Sequence, residues 1–92
     1  MRNNNNEDYE KLTLLYFSYR NIYNMGYLRY AIFKNLIRYC TNITDYRQIR
    51  TIFQNLVNKD VFDSKKYNKG FYYRFNPNKI QDKKEEYFLI NF

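Results

Sequence analysis

With 92 residues, a net charge of +7, one cysteine and no histidine, the chain has the length of a single domain and a charge suited to a polyanionic partner. It has no second thiol for an intrachain disulfide, no Cys/His set for a zinc cluster, no Ser-His-Asp or Cys-His apparatus and, with two glycines, too few for a Gly-rich phosphate loop. The longest apolar run, Leu14 to Phe17, is far too short to span a bilayer, and MRNNNNEDYE lacks the apolar region of a signal peptide. The expectation is therefore an intracellular, non-enzymatic protein with no cofactor, metal, membrane partner or small-molecule substrate.

Residues 1–6 form an Asn-rich tail, expected to be disordered. The first helix is predicted from Glu7 or Asp8 to about Arg20–Tyr23. Glu7, Asp8 and Glu10 suit the positive end of its dipole. Leu12, Leu15, Tyr16, Tyr19, Ile22 and Tyr23 recur at helical spacing, and Leu14 and Phe17 widen that face. Asn24-Met25-Gly26 should break the helix, because Gly26 can take positive φ. The second helix is predicted over about Tyr27–Cys40, with a stripe of Leu28, Ile32, Phe33, Leu36, Ile37 and Cys40. Arg29, Lys34, Asn35 and Arg38 lie elsewhere on its surface. The apolar pattern around Cys40 makes it a small hydrophobe rather than a reactive thiol. Thr41-Asn42-Ile43-Thr44 is a turn, with Thr44 as N-cap of the next helix.

The third helix, 45–59, has two distinct arcs at about 100° per residue. Tyr46, Ile49, Ile52, Phe53, Leu56 and Val57 fall on one. Arg47, Arg50, Thr51, Gln54 and Asn58 fall on the other, which has no acidic residue. Those side chains can read base edges or grip phosphate. A wing follows over 61–76: strand Val61–Lys66, turn Tyr67-Asn68-Lys69-Gly70, strand Phe71–Asn76. Phe71, Tyr73 and Phe75 alternate with Tyr72 and Arg74 at period two. Pro77 ends the strand. Residues 78–92 form an extension that packs on the domain or makes a homodimer, since Phe88, Leu89, Ile90 and Phe92 need cover.

Charge and composition follow this organisation. Residues 44–79 hold eight basic and three acidic side chains, whereas residues 80–92 hold two and three. The excess thus sits in the helix–hairpin unit, where Lys65, Lys66 and Lys69 join the arginines. Aromatic content is 22%, from 12 Tyr and 8 Phe, and these rings must supply much of the core because Val and Ala are scarce. Asn, Tyr, Ile and Lys, with A/T-rich codons, are abundant, which points to an A/T-rich genome such as that of certain viruses, protists or low-GC bacteria.

The order and spacing of elements over residues 8–76, and the stretch YRQIRTIFQNLVNKDVF…FYYRF within them, resemble the winged helix-turn-helix superfamily. Ile49, Phe53, Leu56 and Val57 match the core of its third helix. Val61 with Phe62, and Tyr73 with Phe75, match its two wing strands. Where many members have Gly before the first wing strand, this chain has Asn58-Lys59-Asp60, residues that include two tolerant of left-handed backbone. The resemblance implies an α+β fold, a three-helix bundle with a C-terminal β-hairpin wing spanning 7–77, and duplex DNA as partner. Arg47, Arg50, Thr51, Gln54 and Asn58 would meet bases and phosphates. Lys65, Lys66, Tyr67 and Lys69 would contact the backbone or lie in a groove. The activity implied is that of a transcriptional regulator or architectural factor. A protein-interaction module in a transcription or assembly complex is the alternative, and the exposed Tyr rings also suit single-stranded RNA.

Overall fold

In a computed structural model, residues 5–79 are described. They form three α-helices and a three-stranded antiparallel sheet, in the order α1 (Asn5–Tyr19), β1 (Leu28–Arg29), α2 (Tyr30–Thr41), α3 (Tyr46–Asn58), β2 (Phe62–Tyr67) and β3 (Gly70–Phe75). A 3₁₀ turn, Ile22–Met25, joins α1 to β1. The strand order is β1-β3-β2, so the central strand is the last in sequence. This α+β arrangement is compatible with a winged-helix-like layout.

The helices end where the sequence changes character. α1 starts at Asn5, earlier than expected, and stops at Tyr19. Asn21 then takes left-handed backbone at φ 54°, a conformation Asn tolerates better than most residues. Residues 1–4 of the Asn-rich tail lie outside the described residues. α2 ends on Asn42 at φ 63°, whose N–H bonds to the Arg38 carbonyl, as at many helix C-termini. α3 is capped by Asp45, not by Thr44: the Asp45 carboxylate accepts from the Arg47 N–H at 2.9 Å. Asp45 adds to the cap a charge that favours the positive end of the helix. After α3, Asp60 adopts φ 60° and turns the chain into β2.

Two expectations about the first half of the chain are overturned. Leu28 and Arg29 do not open the second helix. They form β1, pairing with Tyr73 and Tyr72 of β3, so the helix begins at Tyr30. The first helix also buries a different face. Leu14, Phe17, Thr13 and Glu10 are its buried residues, whereas Leu12, Leu15 and Tyr19 are exposed. The buried set follows the i, i+3, i+4, i+7 rule, but two of its four members are polar. They are tolerated because both are hydrogen-bonded. Thr13 Oγ1 donates to the Tyr9 carbonyl at 2.7 Å. Glu10 accepts from Asn55 Nδ2 at 2.8 Å and from Lys59 Nζ at 2.5 Å, tying α1 to α3. In α2, Phe33 and Ile37 are buried while Ile32 is exposed. In α3, Tyr46 leaves the apolar arc and is also exposed.

The core is built on rings. Phe17 of α1, Phe33 of α2, Phe53 of α3, Phe62 of β2 and Phe75 of β3 are all buried. Phe33 lies 5.6 Å from Phe17, 5.6 Å from Phe53 and 5.1 Å from Phe62, centroid to centroid. Phe17 meets Phe75 edge-on at 5.4 Å. One ring cluster thus links every helix to the sheet. The hairpin's register, Phe62↔Phe75 and Ser64↔Tyr73, puts Phe62, Tyr73 and Phe75 on the core side. Its turn is Asn68-Lys69, one residue shorter on each side than expected, and Gly70 takes φ 125° at the start of β3. The expected packing or dimer contact of residues 78–92 falls mainly on residues 80–92, outside the described residues.

The inverted face of α1 yields a test. Leu14→Ala should cost about 2–5 kcal/mol, as for a fully buried leucine. Leu12→Ala should change stability by only about 0.5 kcal/mol. Urea denaturation of the two variants measures both, and equal losses would mean that α1 is rotated about its axis.

Candidate nucleic-acid interface

The arc of α3 that faces away from the ring cluster carries Arg47, Arg50, Thr51, Gln54 and Asn58, all exposed. Their spacing of three, four and seven residues places them in one row along the helix. Several are held by neighbours. Arg50 lies over the Tyr30 ring at 5.1 Å, and the ring packs edge-on against Phe53 at 5.0 Å. Burial raises the Tyr30 phenol above its ordinary value, partly offset by the Arg50 charge. Thr51 Oγ1 donates to the Arg47 carbonyl at 3.0 Å, so its hydroxyl proton is already engaged. Gln54 Nε2 donates to Asn58 Oδ1 at 3.3 Å, which leaves the Gln54 carbonyl and the Asn58 amide protons outward. The Asp45 carboxylate caps the helix and does not pair with either arginine. Sequence reasoning missed Lys34 of α2, which lies over the Tyr46 ring at 4.9 Å and adds a cation beside the start of α3.

The hairpin brings its candidate residues together less completely. Lys65 and Lys66 are adjacent in one strand, so they project to opposite faces. Lys65 shares a face with Tyr72, its register partner, and Lys66 with Phe71. Lys65 Nζ sits 4.6 Å from the Tyr27 ring centre, whereas Lys66 Nζ is 5.8 Å from Phe71. Tyr67 meets Tyr72 edge-on at 4.9 Å. Lys69 is exposed at the turn. Tyr27, Lys66, Tyr67, Asn68, Lys69 and Tyr72 line an open cleft at this end of the sheet.

Arg74 does not belong to the displayed charge. Its Nη2 donates to Asp63 Oδ2 at 2.6 Å, and the same carboxylate accepts from Asn76 at 3.1 Å and pairs with Lys79 at 3.2 Å. Lys79 also bridges to Asp60 at 3.1 Å. These contacts lock the base of the hairpin to the segment after Pro77.

The remaining chemistry is sparse. Cys40 is half-buried, and desolvation raises its thiol above the ordinary value, with the Thr13 hydroxyl opposing. A thiol so placed is a poor nucleophile at neutral pH. Among the described residues no group of His, Cys, Asp and Glu could hold a metal ion, and no helix is long and apolar enough to cross a membrane. Comparison of the chain with protein-family models, curated proteins and solved structures gives no match.

The Asp63 cluster predicts an acid limb in stability. Hydrogen bonding from Arg74, opposed by burial and reinforced by Asn76 and Lys79, holds the Asp63 carboxyl below its ordinary 3.8. A carboxyl depressed in the folded state stabilises in full above its unfolded value and loses that contribution as pH falls through the folded one. Thermal melts should therefore fall from about pH 3.8 downward, and Asp63→Asn should remove part of that slope. An unchanged acid limb in the variant would assign it to other carboxylates.

Proposed function

We propose that this protein is a small basic winged-helix protein that binds duplex DNA, serving as a transcriptional regulator or architectural factor. α3 would enter the major groove, where Arg47 and Arg50 pair with guanine edges or phosphate and Gln54 with adenine. Thr51 and Asn58 would flank them. Lys65, Lys66 and Lys69 would grip the backbone, and Tyr67 would lie along a groove. The observation that carries this reading is the α3 row itself: two arginines and two amides exposed along one helical face, with no ion pair to quench either arginine among the described residues. A helix of this diameter matches the width of the major groove. The strand order β1-β3-β2 and the hairpin directly after α3 support the winged-helix part of the reading.

Arg50 adds a mechanistic detail. Its guanidinium is held over Tyr30, so less side-chain freedom is lost when it docks. Arg47 has no such support, and should contribute more through phosphate attraction than through a fixed bidentate contact. The division predicts unequal roles: Arg50 for discrimination, Arg47 for overall affinity.

Fluorescence anisotropy on a random duplex tests the proposal. Log affinity should fall linearly with log salt, with a slope of about 0.9 per phosphate contacted. Arg47→Ala/Arg50→Ala should weaken binding by roughly tenfold or more and reduce the slope by about 1 to 2. Absence of duplex binding at low salt would favour an acidic protein partner instead. Equal binding by both proteins would move the interface away from α3.

A further inference from the structure

The side of the sheet that faces away from the core is patterned in a way the duplex reading uses only in part. Register places Arg29, Tyr72 and Lys65 side by side across β1, β3 and β2, on one face. The neighbouring row on that face holds Arg74 and Asp63, with Tyr27 beside them just before β1. Rings and cations therefore alternate across the Arg29, Tyr72 and Lys65 row and along the chain from Tyr27 to Arg29 and from Tyr72 to Arg74. The contacts are close. Tyr27 lies 4.6 Å from Lys65 Nζ and 5.0 Å from the Arg74 guanidinium. Arg29 Nε donates to the Tyr72 hydroxyl at 3.0 Å, and its guanidinium carbon lies 5.4 Å from the Tyr72 ring centre. Tyr67, opposite Gly70 in the next row, meets Tyr72 edge-on. Asp63 is the acidic member of this face, and Arg74 and Lys79 neutralise it.

We propose that this outer sheet face, built on Tyr27, Arg29, Lys65, Tyr67 and Tyr72, binds single-stranded nucleic acid. A duplex hides its base faces in its own stack, so these rings have nothing to meet there. An unstacked strand offers a flat base and a phosphate at every nucleotide, and this alternation offers a ring and a cation in turn. Residues two apart along a strand are about 6.7 Å apart, and rows on neighbouring strands about 4.8 Å, so successive nucleotides can reach successive rings. Arg29 does two things. Its guanidinium lies over the Tyr72 ring and offers a plane of its own, since bases stack on guanidinium planes as on rings. It also carries a charge to the phosphate. An acidic peptide would use the cations and leave the rings idle, so the alternation favours the nucleic acid.

Lys65 and Tyr67 are shared with the wing of the duplex proposal, but Tyr27, Arg29 and Tyr72 are not. The experiment uses that difference. The full chain is titrated at low salt against a fluorescein-labelled oligothymidylate of about fifteen nucleotides and against a duplex of equal length. Tyr27→Leu/Tyr72→Leu should weaken single-strand binding by about tenfold or more while duplex binding stays within about twofold. Tyr27→Phe/Tyr72→Phe, which keeps the rings, should stay within about threefold of wild type. Arg47→Ala/Arg50→Ala should show the reverse selectivity. Failure of duplex binding alone would sink the α3 proposal and leave this one standing.

Three results would overturn the platform: no single-strand binding by the wild type, unchanged binding by the Leu variant, or displacement of the strand by polyglutamate as readily as by unlabelled oligonucleotide. Should the Leu variant not fold by circular dichroism, photocrosslinking of wild type with a 5-bromouracil strand decides. Adducts on peptides holding Tyr27 or Tyr72 support the site, and adducts confined to α3 reject it.

Discussion

The contact among Phe17, Phe33, Phe53 and Phe62 is the constraint on which the rest of this structure depends. A chain of this length buries a smaller share of its surface than a larger domain, and this one has few Val or Ala residues to fill gaps. Phenylalanines compensate by area: each contributes more buried apolar surface than an aliphatic side chain, and their tilted and edge-on contacts add to that. The rings come from α1, α2, α3 and β2, so no helix can shift without opening the seam between the bundle and the hairpin. α3 is fixed on its buried side by Ile49, Ile52, Phe53 and Leu56. That fixation is what points the arginine row outward.

Polar contacts then set the relative placement of elements that apolar burial alone would leave free to slide. Glu10 reaches from α1 to Asn55 and Lys59 at the end of α3. A carboxylate 3% exposed is costly unless paired and hydrogen-bonded, and here both conditions are met. Asp63 does the equivalent for the hairpin, gathering Arg74, Asn76 and Lys79. Both clusters join residues distant in sequence, and both sit where an element ends. They act as stops on register.

How much of this was legible in the sequence depended on how local the determining contact is. The two arcs of α3 separate cleanly because the exposed arc is wholly polar. The hairpin was legible because Phe71, Tyr73 and Phe75 alternate with Tyr72 and Arg74 next to a turn. α1 was legible only in part, because both its arcs are apolar-rich: Leu14 and Phe17, which widen the expected face, are buried and Tyr16 packs on the core, but Leu12, Leu15 and Tyr19 make a better stripe than Glu10 and Thr13. Only the Asn55 and Lys59 side chains, 45 and 49 positions away, make the burial of Glu10 tolerable, and no local pattern carries that information. β1 was invisible for the same reason. Two residues long, it exists because β3 arrives beside it from more than 40 positions later. With β1 unseen, Tyr27 and Arg29 had no sheet face to belong to. The alternation of ring, Leu28 and cation over 27–29 was the signal that could have shown it.

The charge of the helix–hairpin unit is finally better described by what is engaged than by what is counted. Residues 44–79 contain eight basic and three acidic side chains. Lys59 is tied to Glu10, Arg74 to Asp63 and Lys79 to both Asp60 and Asp63, while Asp45 caps α3. These pairings use up every carboxylate in the unit. Arg47, Arg50, Lys65, Lys66 and Lys69 are the basic residues outside these ion pairs, and all five are exposed. Exposed cations without carboxylate neighbours repel one another and add nothing to folding. Their grouping on one helix face and one hairpin is therefore a cost to the fold that a polyanion would relieve. The rings beneath Arg50, Lys65 and Lys66 lower that cost by attraction to their negative faces, and they do so without neutralising the charge. A carboxylate in those positions would have stabilised the surface more and left nothing to present.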